Sequence, residues 1–106
     1  MIAAKLISIK EATDQRHKFV ASVMIKGKLR TIPFGAHGMM DYTLYHAKYG
    51  SDTAEMRRHL YIVRHRARED WNDPLTPGFY SRWILWEKST IKEALSALKI
   101  RFPGLF

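Results

Sequence analysis

Apolar and polar residues alternate, imperfectly, from Lys5 to Lys10, with Leu6 turned inward and Ile7 outward or at an edge. That period of two predicts a β-strand. A polar turn region follows over Glu11 to Arg16. A second β-prone run spans about His17 to Lys26 and carries Phe19, Val20, Val23, Met24 and Ile25. Gly27-Lys28 is read as a tight turn. Leu29, Thr31, Ile32 and Phe34 make a third strand ending near Pro33-Phe34-Gly35. Three successive strands with short turns predict an antiparallel meander over residues 1–36.

The segment from Phe34 to Thr43 changes character. Two glycines flank His37, and Asp41-Tyr42-Thr43 follows; it reads as a shaped loop, and residues 46–52 read as another. From about Thr53 the period becomes helical. Met56, Leu60, Val63, Ala67 and Trp71 fall within about 60° of one another at 100° per residue, and form the expected core-facing stripe. Arg57, Arg58, Tyr61, His65 and Arg68 fall opposite. Asp52 is the expected N-cap, Glu55 suits the first turn, and Asn72-Asp73-Pro74 the stop. A second helix is expected from a Thr76 cap with Pro77 in first position, running to Trp86. A third opens on Thr90-Ile91-Lys92-Glu93, a capping-box pattern, and ends at Pro103-Gly104. The helical part thus covers residues 53–102. The fold expected for residues 1–106 is one α+β domain: a three-stranded antiparallel meander followed by three helices packed on one face.

Composition narrows the function. The chain has 106 residues and no cysteine, which removes disulfides, thiolate metal sites and cysteine nucleophiles. Thirteen aromatics argue against disorder. The N-terminus shows no apolar run of signal-peptide length, and no run is long enough to span a bilayer. No membrane role is expected, and the expected setting is a cell interior or the inside of a particle. The formal net charge of +8 attracts polyanions, nucleic acid foremost.

Five arginines (57, 58, 64, 66 and 68) lie between Met56 and Arg68 without an acid among them. Their planar forks match phosphate oxygens. Tyr61, His59 and His65 are interleaved, where they can stack on bases or bond phosphates. The expected nucleic-acid contacts are Arg57, Arg58, Tyr61, His65 and Arg68, with Lys18, Lys26, Lys28 and Arg30 as a second cationic patch on the strands. Three competing explanations stand beside this: internal salt bridges with Asp52, Glu55, Glu69 and Asp70, arginine stems covering the core, and strand lysines guarding against aggregation. Trp71, Phe79, Tyr80, Trp83 and Trp86 crowd into sixteen residues, and are expected mainly in the core.

Catalytic signatures are missing: no P-loop, no G-x-S-x-G, no H-E-x-x-H and no dinucleotide fingerprint. His37, Asp41, His46, His59 and His65 do not have the spacing of metal ligands. The expectation is a non-enzymatic protein without cofactor or metal. A small metal-dependent nuclease using Asp41 or Glu69 is a weaker third reading.

Several strings carry a resemblance. They are Phe34-Gly35-Ala36 with Gly38-Met39 and Asp41-Tyr42-Thr43, then Arg64-His65-Arg66 with Glu69-Asp70-Trp71 and Asp73-Pro74. Thr76, Gly78 and Ser81-Arg82-Trp83-Ile84-Leu85-Trp86 follow, and finally Arg101-Phe102. Over about residues 30–102 the chain resembles a family of short proteins encoded by large DNA viruses of algae and amoebae, with relatives in some phages. The family brings no catalytic residues to carry over. The resemblance implies a viral setting, in the host cell interior or the virion, and two roles: handling viral DNA, more than RNA, or serving as a minor virion component that binds acidic capsid or scaffold proteins. It also puts Arg64, His65, Glu69, Asp70 and Arg82 near one helix junction, where a buried polar network would need every partner in place.

Overall fold

The computed structural model describes residues 3–106. Three antiparallel strands, β1 (Ala4–Glu11), β2 (His17–Ile25) and β3 (Lys28–Ala36), form a sheet in sequence order. Leu6 pairs with Val23, but Ser8 pairs with Ser22, so Ile7 is bulged out of the ladder. The bulge is why the alternation along β1 is imperfect. It leaves Ile7 exposed and returns Ile9 to the inner side, packed against the core. Ile25 pairs with Lys28, so the β2–β3 turn is centred on Lys26-Gly27, one residue before the expected position. Both take positive φ, 51° and 74°, the type I′ geometry of a two-residue hairpin.

The inner face presents Ala4 and Leu6 from β1, Ala21 and Val23 from β2, and Ile32 and Phe34 from β3, all buried. The α+β class and the meander agree with the sequence expectation. The helical part differs in its elements. It begins at residue 42 and contains four α-helices: α1 (Tyr42–Tyr49), α2 (Ser51–His65), α3 (Pro77–Tyr80) and α4 (Ile91–Arg101). A π-helical turn, Ser81–Leu85, continues α3, and a 3₁₀ turn, Pro103–Leu105, closes the chain.

The missed helix is α1. Its aromatic-rich sequence, Tyr42 to Tyr49, has low intrinsic helix propensity. Tertiary fixing outweighs this, because Asp41 caps the helix by accepting from Leu44 N at 3.1 Å, and Asp41 and Tyr42 are both buried. Gly50 alone separates α1 from α2, which starts at Ser51 without a side-chain cap. The two helices fold back on each other, with Tyr42 bonded to Glu55 and Tyr45 beneath Arg57.

The helices that touch the sheet come from the C-terminal half. Tyr80 meets Phe34 with ring centroids 5.6 Å apart, and the 3₁₀ turn packs on β1. Trp83, Ile84, Leu85 and Trp86 are all buried in succession. No single α-helical face holds four consecutive residues, and here partners surround the segment. Leu85 lies over Gly35, Trp83 meets Phe102, and Trp86 meets Tyr61. Thr76 and Thr90 cap α3 and α4, as the sequence predicts.

Gly35 shows how close this packing is. Its φ is +76°, and a Cβ there would sit 2.7 Å from Leu85 Cδ1 and 3.3 Å from Lys18 Cβ. Gly35→Ala is therefore expected to destabilise the fold by about 2–4 kcal/mol, from left-handed strain plus overpacking. Urea denaturation measures this directly, and a loss within about 0.5 kcal/mol, the scale of an ordinary surface change, would contradict it.

Candidate nucleic-acid interface

The predicted contacts divide into two groups. Four are committed inside the molecule. Tyr61 is buried, not outward-facing, and stacks on Trp86 at 4.4 Å and on His65 at 4.4 Å. His65 is half-buried, with its Nδ1 2.9 Å from Glu69 Oε2. Arg58 donates to both Glu55 oxygens at 2.5 and 2.7 Å, and to the Glu87 carbonyl at 2.6 Å. Lys18 donates to buried Asp41 at 2.5 Å. These four placements correct the expectation that the Arg58–Tyr61–His65 face points to solvent and that Lys18 belongs to an open strand patch.

The physical reason is a rotation of α2. Ala54, Arg58, Tyr61 and His65 form the inward face, while Met56, Leu60 and Val63 face out. An aromatic ring buries more area than the aliphatic residues on the other side. The two charged or polar members of the inner face are satisfied there by carboxylates. The helix also ends at His65, six residues before Trp71, so Trp71 never joins its apolar stripe.

Glu69 ties the segment after α2 back to the helix. Its Oε1 accepts from Trp71 Nε1 at 2.9 Å while its Oε2 meets His65, and its carboxylate lies against Gly78. Trp83 Nε1 in turn donates to the Trp71 carbonyl at 2.7 Å. This is a structural junction; of the residues expected to share a buried network there, Arg64 and Asp70 are exposed and lie outside these bonds, the Asp70 carboxylate accepting only from Asn72 N. Arg82 belongs to it, lying over the Trp83 ring at 4.5 Å and the Trp71 ring at 5.6 Å while bonding Glu87 at 3.0 Å.

The remaining predicted contacts stand in no ion pair, though Arg57 lies over the Tyr45 ring at 5.2 Å. Arg57 and Arg68 are exposed, as are Arg64 and Arg66. Lys26, Lys28 and Arg30 are exposed at the β2–β3 hairpin tip, the end of β3 away from the loop leading to α1. Among the described residues, only Lys18, Arg58 and Arg82 of the lysines and arginines stand in ion pairs. Of the other cations, Lys5 donates to the Gly104 carbonyl and Lys48, Arg57, Lys99 and Arg101 lie over aromatic rings, but none of these meets a carboxylate.

A polar cleft of about 550 Å³ opens between α1, α2, the segment from Arg82 to Ser89 and α4, which lines it with Glu93 and Arg101. Tyr42 donates to Glu55 at 2.8 Å there, and burial followed by that carboxylate pushes the phenol up. Bonds from Arg58 and Tyr42 hold Glu55 below the usual carboxylate range. Glu55, Glu87 and Glu93 each already accept a bond from this chain, whereas Arg101 stacks on Trp83 at 4.1 Å without a carboxylate partner. Sequence reading did not single out Arg101 or Lys88 at this cleft, because nothing local marks residues joined only by tertiary packing. A smaller cleft of about 410 Å³ lies beside Lys18 and Asp41 and includes His17 and His37. Nearby, the His17 ring and the Arg16 and His17 backbone N–H groups hold Asp14 down at about 2.

Among the described residues, no three His, Asp or Glu side chains gather where a metal ion could be held. No described helix is long and apolar enough to cross a membrane. No family model, curated protein or solved structure matches the chain.

Proposed function

We propose that this is a non-enzymatic protein that binds nucleic acid through phosphate contacts, with little reading of sequence. The observation that supports it most is the set of exposed cations in no internal ion pair: Arg57, Arg64, Arg66 and Arg68 along and just past α2, and Lys26, Lys28 and Arg30 at the hairpin tip. Exposed arginines and lysines in two groups track a phosphate backbone without a groove-reading element. The viral setting, the preference for DNA over RNA and a place in the host cell or virion form part of the proposal, and the sequence resemblance is their support.

Fluorescence anisotropy with a random-sequence duplex tests this reading. If five or six of these cations meet phosphates, log K falls against log salt with a slope of about −4 to −6. A shuffled duplex binds equally well. A slope near zero, or no binding at physiological salt, would overturn the reading and leave the charge to an acidic protein face.

A further inference from the structure

Much of the aliphatic surface of α2 contributes nothing to the core. Met56, Leu60 and Val63 are 54%, 48% and 48% exposed, and Ala67, just past the helix, is exposed as well. The spacing of four, three and four residues is that of successive d, a, d and a positions in a heptad. Such residues line one seam, here on the side opposite Ala54, Arg58 and Tyr61. Helical backbone geometry continues through Arg66, so the seam runs almost to Ala67.

The flanks of the seam are basic. Arg57 and Arg64 border one side, and His59 and Arg66 the other, all exposed and outside every ion pair among the described residues. The helix's own acids do not neutralise them. Glu55 is held by Arg58 and Tyr42 toward the cleft, and Asp52 sits in the first turn.

We propose that this face seats an acidic amphipathic helix of a partner protein, with apolar residues filling the seam and Asp or Glu side chains meeting Arg57, Arg64 and Arg66. Charge complementarity selects this occupant. A parallel pair of this chain would set His59 against Arg64 of the copy and Asp52 against Arg57, and would leave Arg66 without an acid. In an antiparallel pair centred on the seam, Arg57 would face Arg64 and His59 would face Arg66. Basic groups facing one another at most of those flanking positions disfavour self-pairing. Nucleic acid satisfies the arginines but leaves Met56, Leu60 and Val63 uncovered. A bilayer surface calls for a broader apolar face with aromatic anchors, whereas this seam is one side chain wide.

The test uses the full chain and a labelled synthetic helical peptide with leucine in the seam positions and glutamate beside them. Saturable binding is expected, and a matched peptide with lysine in place of glutamate should not bind. Leu60→Gln combined with Val63→Gln should weaken binding of the glutamate peptide by about tenfold or more. Both positions are exposed, so circular dichroism and thermal melting should be unchanged. Duplex affinity should also be unchanged in this variant, which separates failure of the docking proposal from failure of the nucleic-acid reading. Absence of peptide binding, equal binding of the lysine peptide, or indifference to the double substitution would overturn the proposal. So would a homodimer, or binding to anionic phosphatidylserine vesicles, that is lost in the same variant.

Discussion

Tyr61→Ala is expected to destabilise the protein by about 3–5 kcal/mol, the range for truncating a large buried aromatic. The ring is 5% exposed. It stacks nearly parallel to Trp86, 11° apart at 4.4 Å, and nearly parallel to Trp71, 13° apart at 6.2 Å. Its other neighbour, His65, is fixed by Glu69. Together with the Arg58 bond to the Glu87 carbonyl, this stack ties α2 to the segment that packs on the sheet. Removing it should loosen the α1–α2 hairpin before the sheet melts. Tyr61→Phe keeps the stacked ring and should stay within about 1 kcal/mol of wild type. Chemical denaturation decides the matter. If Tyr61 instead stacked on nucleic-acid bases, Tyr61→Ala would leave stability intact and reduce affinity alone, which would contradict the placement.

Asp41→Ala should have a comparable effect, about 3–5 kcal/mol, since breaking a buried ion pair leaves the partner charge uncompensated. The carboxylate is 4% exposed and Lys18 13%. Asp41 also accepts from Thr43 Oγ1 at 2.5 Å and caps α1 through Leu44 N. Cap loss of about 0.5–2 kcal/mol lies within that total. Asp41→Asn keeps a capping oxygen and should lose less. Adding Lys18→Met to Asp41→Ala should recover part of the loss, because the stranded ammonium is gone. Thermal melting of the four proteins checks the order. A Lys18→Met change that rescues nothing would contradict the pairing.

Most of the sheet was legible because strand periodicity and a two-residue turn are local signals. The Ile7 bulge already showed as an irregularity in the alternation. The caps at Thr76 and Thr90 were legible for the same reason. What failed was the phase of α2. Hydrophobicity alone put Met56, Leu60 and Val63 inside and Arg58, Tyr61 and His65 outside. The fold reverses this because Glu55, Glu69 and Trp86, distant from or ambiguous in the local pattern, supply the partners that make a polar-aromatic face buriable. The same reversal removes Arg58, Tyr61 and His65 from the open surface and leaves Arg57 and Arg68 on it. Helix α1 was not legible, since its aromatic sequence favours no helix until Asp41 and Tyr42 are buried.

Arg57 and Arg68 thus differ from Arg58 in what they are free to do, though two of them are adjacent in sequence. The salt dependence of duplex binding, compared between an Arg57→Ala, Arg68→Ala double variant and Arg58→Gln, tests that distinction most directly. The double variant should reduce the magnitude of the log–log slope by about 2, one for each lost phosphate contact. Arg58→Gln, while folded, should keep the wild-type slope. An unchanged slope in the double variant together with a reduced slope in Arg58→Gln would contradict the account.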